Sequence, residues 1–141
     1  MRIAMVCDEF YPEIGGASVY TTQLSSALAK LGVEPVVITR AREGPTHEEE
    51  VGGARIKRLK GFSLPRANRE VSLKLFRDLY QYIKHGSFDV VHGQDIYSTM
   101  SLVAIHSARK RAIPSVVTCH SIHKAWGAWR AIYFPVLFTL R

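Results

Sequence analysis

Five short strand-like runs alternate along the chain with segments of helical period, and this alternation limits the possible folds more than any other feature. The runs are Ile3 to Cys7, Val36 to Thr39, Arg55 to Leu59, Asp89 to His92 and Ser115 to Thr118. Ile3 to Cys7 is continuously apolar, as parallel strands covered on both faces are. A helix is predicted from about Ala17 to Leu31, where Tyr20, Leu24, Ala27, Leu28 and Leu31 share one face and Gly32 supplies the stop. A second spans about Glu70 to His85, with Val71, Leu75, Leu79 and Ile83 in register, ending at Gly86. A third runs from Ile96 to Arg111. Strand alternating with helix at this spacing predicts an α/β fold: a doubly wound, mostly parallel, Rossmann-like sheet with helices on both faces.

Two stretches read less simply. Residues 40–53 carry no periodicity and are expected to form a loop; with no helix between them, the runs at 36–39 and 55–59 are candidates to pair as a hairpin. From Lys124 onward the chain is apolar and of helical character, interrupted by Arg130 and Pro135. Whether residues 125–140 pack on the sheet or meet a membrane or a partner stays open at this stage.

The 141 residues suit one domain, residues 1–141. Nineteen Lys and Arg against twelve Asp and Glu leave a formal charge of +7, which favours an anionic partner: a phosphorylated ligand, an anionic membrane surface or a nucleic acid. Basic residues cluster at Arg40, Arg42, Arg55, Lys57, Arg58, Lys60, Arg66 and Arg69, and again from Arg109 to Arg111. Neither cluster carries a nucleic-acid motif or interleaved aromatics, so nucleic acid ranks last. Cys7 and Cys119 are too few for a disulfide framework; both adjoin apolar runs, where a thiol is usually buried. The first apolar stretch is too short for a signal peptide, and no run is long enough to span a membrane. A cytoplasmic setting is expected, with peripheral attachment at the inner membrane face as the alternative.

In a doubly wound sheet, ligands bind beyond the carboxyl ends of the strands. After the first strand, Gly15-Gly16 precedes a helix, where exposed N–H groups and the dipole favour an anion. The pair matches neither dinucleotide nor P-loop patterns, and plain turn chemistry explains it equally well. After the fourth strand come His92-Gly93-Gln94-Asp95; Asp95 is expected to cap the helix beginning near Ile96. After the fifth lie His120 and His123. His92, His120 and His123 lack metal-ligand spacing, and no Ser sits in a nucleophile elbow.

Phe10-Tyr11-Pro12 and Gly15-Gly16 after the opening strand are followed by Leu24, Leu28, Gly32 and Pro35-Val36-Val37-Ile38-Thr39. Phe88-Asp89-Val90-Val91-His92 and Pro114-Ser115-Val116-Val117-Thr118-Cys119-His120-Ser121 come later. In that order these motifs resemble the N-terminal half of family 4 glycosyltransferases, retaining enzymes of the two-domain glycosyltransferase-B fold. The likeness is greatest to the branch acting on phosphatidylinositol with N-acetylglucosamine or mannose. The resemblance implies transfer of a sugar from a nucleotide-diphosphate sugar, with retention, to an acceptor of phosphoinositide-lipid type. It implies no cofactor and no metal, the sugar nucleotide being a co-substrate. Gly15 and Gly16 match the loop facing the donor diphosphate and the acceptor, and His120 matches the histidine beside the donor sugar. Tyr11, Tyr20, His92, Gln94 and Asp95 fall on the acceptor side. The family's Glu-x7-Glu donor motif has no counterpart in this sequence, so a C-terminal donor domain is expected in cis or trans, and the chain alone is expected to be inactive. Val33 stands where the family usually has His. A non-catalytic binding module or a partner subunit for a phosphorylated or lipid ligand is the alternative reading.

Overall fold

The computed structural model describes residues 1–61 and 73–120. In chain order these form β1 (Arg2–Val6), α1 (Gly16–Lys30), β2 (Glu34–Ala41), β3 (His47–Val51), β4 (Ala54–Lys60), α2 (Leu73–His85), β5 (Val90–Gln94), α3 (Thr99–Lys110) and β6 (Ser115–Thr118). Arg66, Arg69, Glu70, Val71, His123 and the apolar stretch 125–140 lie outside the described residues.

The strands make one sheet in the order β3-β4-β2-β1-β5-β6. All neighbouring pairs are parallel except β3 with β4. After β1 the chain winds outward through β2 and β4, then returns to the other side of β1 as β5 and β6. The winding therefore reverses between β1 and β5, and their carboxyl ends flank the crevice typical of ligand sites in such sheets.

Alternate residues of each central strand feed two cores. Ala4, Val6, Val36, Ile38 and Val91 pack with Leu75, Leu79 and Ile83 of α2 and Met100, Ala104 and Ile105 of α3. Ile3, Met5, Cys7, Val37 and Ile56 pack on the opposite face, against Leu24 and Leu28 of α1. Each fully buried Leu, Ile or Val contributes about 1.5–3 kcal/mol, so both faces of the sheet are fixed by burial. The face predicted for α2 is the buried one. On α1 the buried residues are instead Ser18, Thr21 and Ser25, while Tyr20 and Leu31 are exposed. The three hydroxyls donate to the carbonyls of Glu13, Ala17 and Thr22. Small side chains satisfied by nearby backbone let the helix lie close on the sheet.

The hairpin expected between residues 36–39 and 55–59 does not form. These runs pair in parallel as β2 and β4, and the antiparallel partner of β4 is β3, within the segment expected to be a loop. Gly52 and Gly53 make the turn between them at φ +59° and +81°, the conformation a two-residue hairpin favours. The acidic run belongs to this edge strand, where Glu48 faces Lys57 and Glu50 faces Arg55. Charges along an exposed edge also discourage pairing with another sheet.

Candidate functional site at the sheet's carboxyl edge

The loop after β1 is held from two neighbouring strands. Thr39 on β2 donates from Oγ1 to the carbonyl of Asp8. Phe10 is buried against the core, and Arg58 on β4 donates from Nη2 to the carbonyl of Tyr11 while its Nε donates to Glu49. Arg40 pairs with Glu9 at 3.3 Å and Arg42 with Glu13 at 3.0 Å. Much of the first basic cluster is therefore matched within the chain: Arg55 also pairs with Glu34, and Lys57 with Glu48.

Gly15 caps α1 with extended backbone at φ −155°, and no side-chain cap bond accompanies it. Val19 N–H is the first to bond back, to the Gly15 carbonyl at 2.9 Å, so the donors of residues 16 to 18 precede the helical ladder. A Cβ on Gly16 would meet nothing within 4 Å, and one on Gly15 would only touch the Glu9 carboxylate at 3.8 Å. Neither the backbone conformation nor the chain's own packing demands glycine at these positions.

The polar residues of β5 and β6 form a small ladder. His92 and Gln94 face the α1 side of the sheet, where His92 lies opposite Met5 in register. His92 Nε2 bonds Thr118 Oγ1 at 2.7 Å, and His120 Nε2 bonds Gln94 Oε1 at 2.9 Å. Both links cross with the same offset from β5 to the β6 side. Tyr20 of α1 meets the His120 ring edge-on, with centroids 4.7 Å apart. Gly16 precedes Tyr20 by four residues, so the start of α1 and His120 share one side of the helix. Burial, and then the neighbouring His120, hold the His92 pKa below its ordinary value.

Gln94 is only 2% exposed, and among the described residues its Nε2 has no partner. A buried amide nitrogen left unpaired costs about 1–3 kcal/mol. Behind the ladder, Gly93 leaves room for Ser101 of α3: an added Cβ would stand 3.0 Å from Ser101 Cβ. Ser101 in turn donates to the carbonyl of Val6, tying α3 to the end of β1.

Asp95 does not cap α3. That helix begins later than expected, and Ser98 is its cap, accepting from Ser101 N–H at 3.0 Å. Asp95 instead has φ +91° and accepts from Tyr97 N–H, closing a local turn. Its own N–H donates to the Thr118 carbonyl at 2.8 Å, prolonging the β5–β6 pairing. Cys7 is buried as expected, but Cys119, just past the edge strand β6, is exposed.

The structure thus brings His92, Gln94, His120 and Tyr20 together beside the glycine start of α1. Tyr11 is exposed and is tied through its carbonyl to β4, on the far side of β1 from the histidines. Thr118, part of the motif around His120 but assigned no role from sequence, completes the ladder; its place two residues before His120 is the sequence signal for it. A cavity of about 500 Å³ between β4 and α2, lined in part by Lys57, Leu59 and Tyr82, shares none of these residues. Among the described residues, no three His, Cys, Asp or Glu side chains gather to hold a metal ion, and no helix is long and apolar enough to cross a membrane.

Sequence and structure comparisons agree with this architecture. A phosphatidylinositol N-acetylglucosaminyltransferase subunit from Arabidopsis thaliana is 30% identical over 130 residues, covering 87% of this chain and 28% of the relative. D-inositol 3-phosphate glycosyltransferase of Frankia alni is 30% identical over 128 residues, covering 79% of this chain and 29% of the relative. The chain therefore spans less than a third of the length of these relatives. Sucrose-phosphate synthase of Thermosynechococcus elongatus superposes with a TM-score of 0.64 at 19% identity, over 99% of this chain and 39% of that structure. This likeness places the fold among glycosyltransferase-B structures. The model of Glycosyltransferase Family 4 matches residues 14–140, and the chain belongs to that family.

Proposed function

We propose that this chain is the acceptor-side domain of a transferase that moves a sugar, with retention, from a nucleotide-diphosphate sugar to a phosphoinositide-type lipid. The observation that carries the reading is the convergence of His120, Gln94, His92 and Tyr20 beside the glycine start of α1, at the winding reversal, in a chain of this family. The named substrates of the Arabidopsis and Frankia relatives are both inositol derivatives, which supports the acceptor class.

In such a transfer the bond from the anomeric carbon to the diphosphate breaks, and the electron pair leaves with the diphosphate. The acceptor oxygen attacks the same face and gives up its proton to the leaving group. The chain's contribution is preorganised polarity. N–H groups at the start of α1 face an anion without the need for a side chain, and bare glycines let a phosphate approach the backbone. His120 accepts a hydrogen bond from a sugar hydroxyl near the developing positive charge. His92 and Asp95 border the acceptor side. The chemistry requires no metal, and a C-terminal domain in cis or trans grips the nucleotide. An anionic lipid acceptor places the protein at the cytoplasmic membrane surface.

A role within a multi-subunit enzyme is the second reading, favoured by the relatives from Arabidopsis and human, which are both named as subunits. The test is sugar transfer to phosphatidylinositol in vesicles by this domain joined to its donor domain, with the product anomer read by NMR. The parent should give the retained anomer, and His120→Ala should lower kcat by about a hundredfold or more, as loss of a transition-state hydrogen bond does. A kcat within about threefold of the parent, or an inverted product, rejects the reading.

A further inference from the structure

We infer that Gln94 is a positioning residue: its buried amide holds His120 by Nε2, fixes the proton on that nitrogen, and leaves Nδ1 as the ring atom offered to a ligand. Gln94 Oε1 lies 2.9 Å from His120 Nε2, and because a carbonyl oxygen only accepts, this orientation of the amide puts the proton on His120 Nε2. In the neutral ring the other nitrogen is then a bare acceptor, suited to a hydroxyl donor. Tyr20, packed edge-on at 4.7 Å, restricts rotation of the ring about this anchor. The second rung, His92 to Thr118 at 2.7 Å, holds the strand positions on either side of it.

Stability does not account for this amide. Gln94 is 2% exposed and its Nε2 has no partner among the described residues, so an isosteric apolar side chain would spare the fold an unpaired donor. What Gln94 supplies that methionine cannot is an acceptor aimed at His120. The role of that histidine in sugar transfer rests on the function proposed above; the anchoring itself does not.

The experiment is nitrogen-15 NMR of the histidine rings in the full 141-residue chain. In the parent near neutral pH, His120 should show a single Nε2-protonated tautomer with a slowly exchanging ring proton. Gln94→Met should leave the thermal midpoint unchanged or raised, speed exchange of that proton at least tenfold and mix the two tautomers. Should the methionine variant fail to fold, Gln94→Glu keeps the acceptor, and the ring proton stays protected. Averaged tautomers in the parent, a ring proton unchanged by Gln94→Met, or a ring proton that loses protection in Gln94→Glu overturns the inference. In the complete transferase, Gln94→Met should lower kcat with little change in KM and shift the pH–rate profile. A freed ring with unaltered kcat would leave the anchoring in place and remove His120 from the transfer.

Discussion

Arg58 reaches from β4 past β2 to donate a hydrogen bond to the carbonyl of Tyr11, a residue 47 positions earlier in the chain. The same guanidinium donates to Glu49 on β3, and its side chain is only 10% exposed. One cation thus joins the edge hairpin to the loop that leads into α1, from two strands away.

Arg58→Met should separate this loop from the sheet without emptying the space the stem fills. The Tyr11 carbonyl and the Glu49 carboxylate each lose a partner. Loss of about 0.5–1.5 kcal/mol of stability is expected, the net worth of a hydrogen bond whose acceptor keeps access to water. Hydrogen exchange should locate the effect: amides between Phe10 and Val19 should lose protection while those of α3 keep theirs. Uniform loss across both segments would contradict a local clamp.

The glycines should divide into two groups. Gly16→Ala should alter stability by less than about 1 kcal/mol, because the position is open and its backbone is not left-handed. Gly86→Ala should be strongly destabilising: the added carbon would stand 2.6 Å from the Tyr82 carbonyl and even nearer the Phe88 ring. Overpacking of this kind costs about 1–3 kcal/mol or more. Urea unfolding of the two variants measures the contrast. Under the function proposed above, Gly16→Val in the chain joined to a donor domain should impair donor use while the fold persists; equal destabilisation by Gly16→Ala and Gly86→Ala would show that α1 needs its glycine for folding.

The two thiols should react differently. Burial pushes the Cys7 thiol up to about 12, with Thr39 opposing the shift, whereas Cys119 is exposed on the edge beside His120. The thiolate is the reactive form, so an alkylating reagent near pH 7.5 should label Cys119 in the folded chain and leave Cys7 unmodified until denaturant is added. Mass spectrometry of peptides settles this; rapid labelling of Cys7 without denaturant would contradict the buried strand.

How far these features are legible in sequence depends on the range of the interactions behind them. The α2 face follows from Leu75, Leu79 and Ile83, since burial of large apolar side chains imposes its own period. The buried side of α1 follows only in part: Leu24 and Leu28 of the predicted face pack on the core, but Ser18, Thr21 and Ser25 look polar until their hydroxyls find nearby backbone carbonyls. The β3–β4 hairpin was readable in Gly52-Gly53, but three successive glutamates masked a strand whose partners are the cations of β4. His120 could be placed after a strand, whereas Gln94, expected just past the strand ending at His92, is the last residue of β5. Their bond could not be foreseen, because it depends on the parallel register of β5 with β6 and on a diagonal reach across it. Ser98 displaced Asp95 as the helix cap for a similar reason: both are good cap types, and the pairing of Asp95 with Thr118 decided between them.

His92 should make folding weaken on mild acidification. Burial and the adjacent His120 lower its folded pKa beneath the ordinary 6.5, so the unfolded chain binds a proton more readily. Stability therefore rises with pH through this window: the contribution is complete above about pH 6.5 and is lost as pH falls toward the lowered folded value. The groups facing the ring are His120, which adds to the lowering, and Thr118, whose hydroxyl adds no charge. His92→Gln retains a polar group opposite Thr118 and removes the titration. Thermal midpoints measured in steps from about pH 7.5 to 5, above the range where carboxylates dominate, should show a smaller fall for the variant than for the parent. Parallel curves would mean that His92 titrates alike in the folded and unfolded chain, and the two histidines would then not be electrostatically linked across the β5–β6 edge.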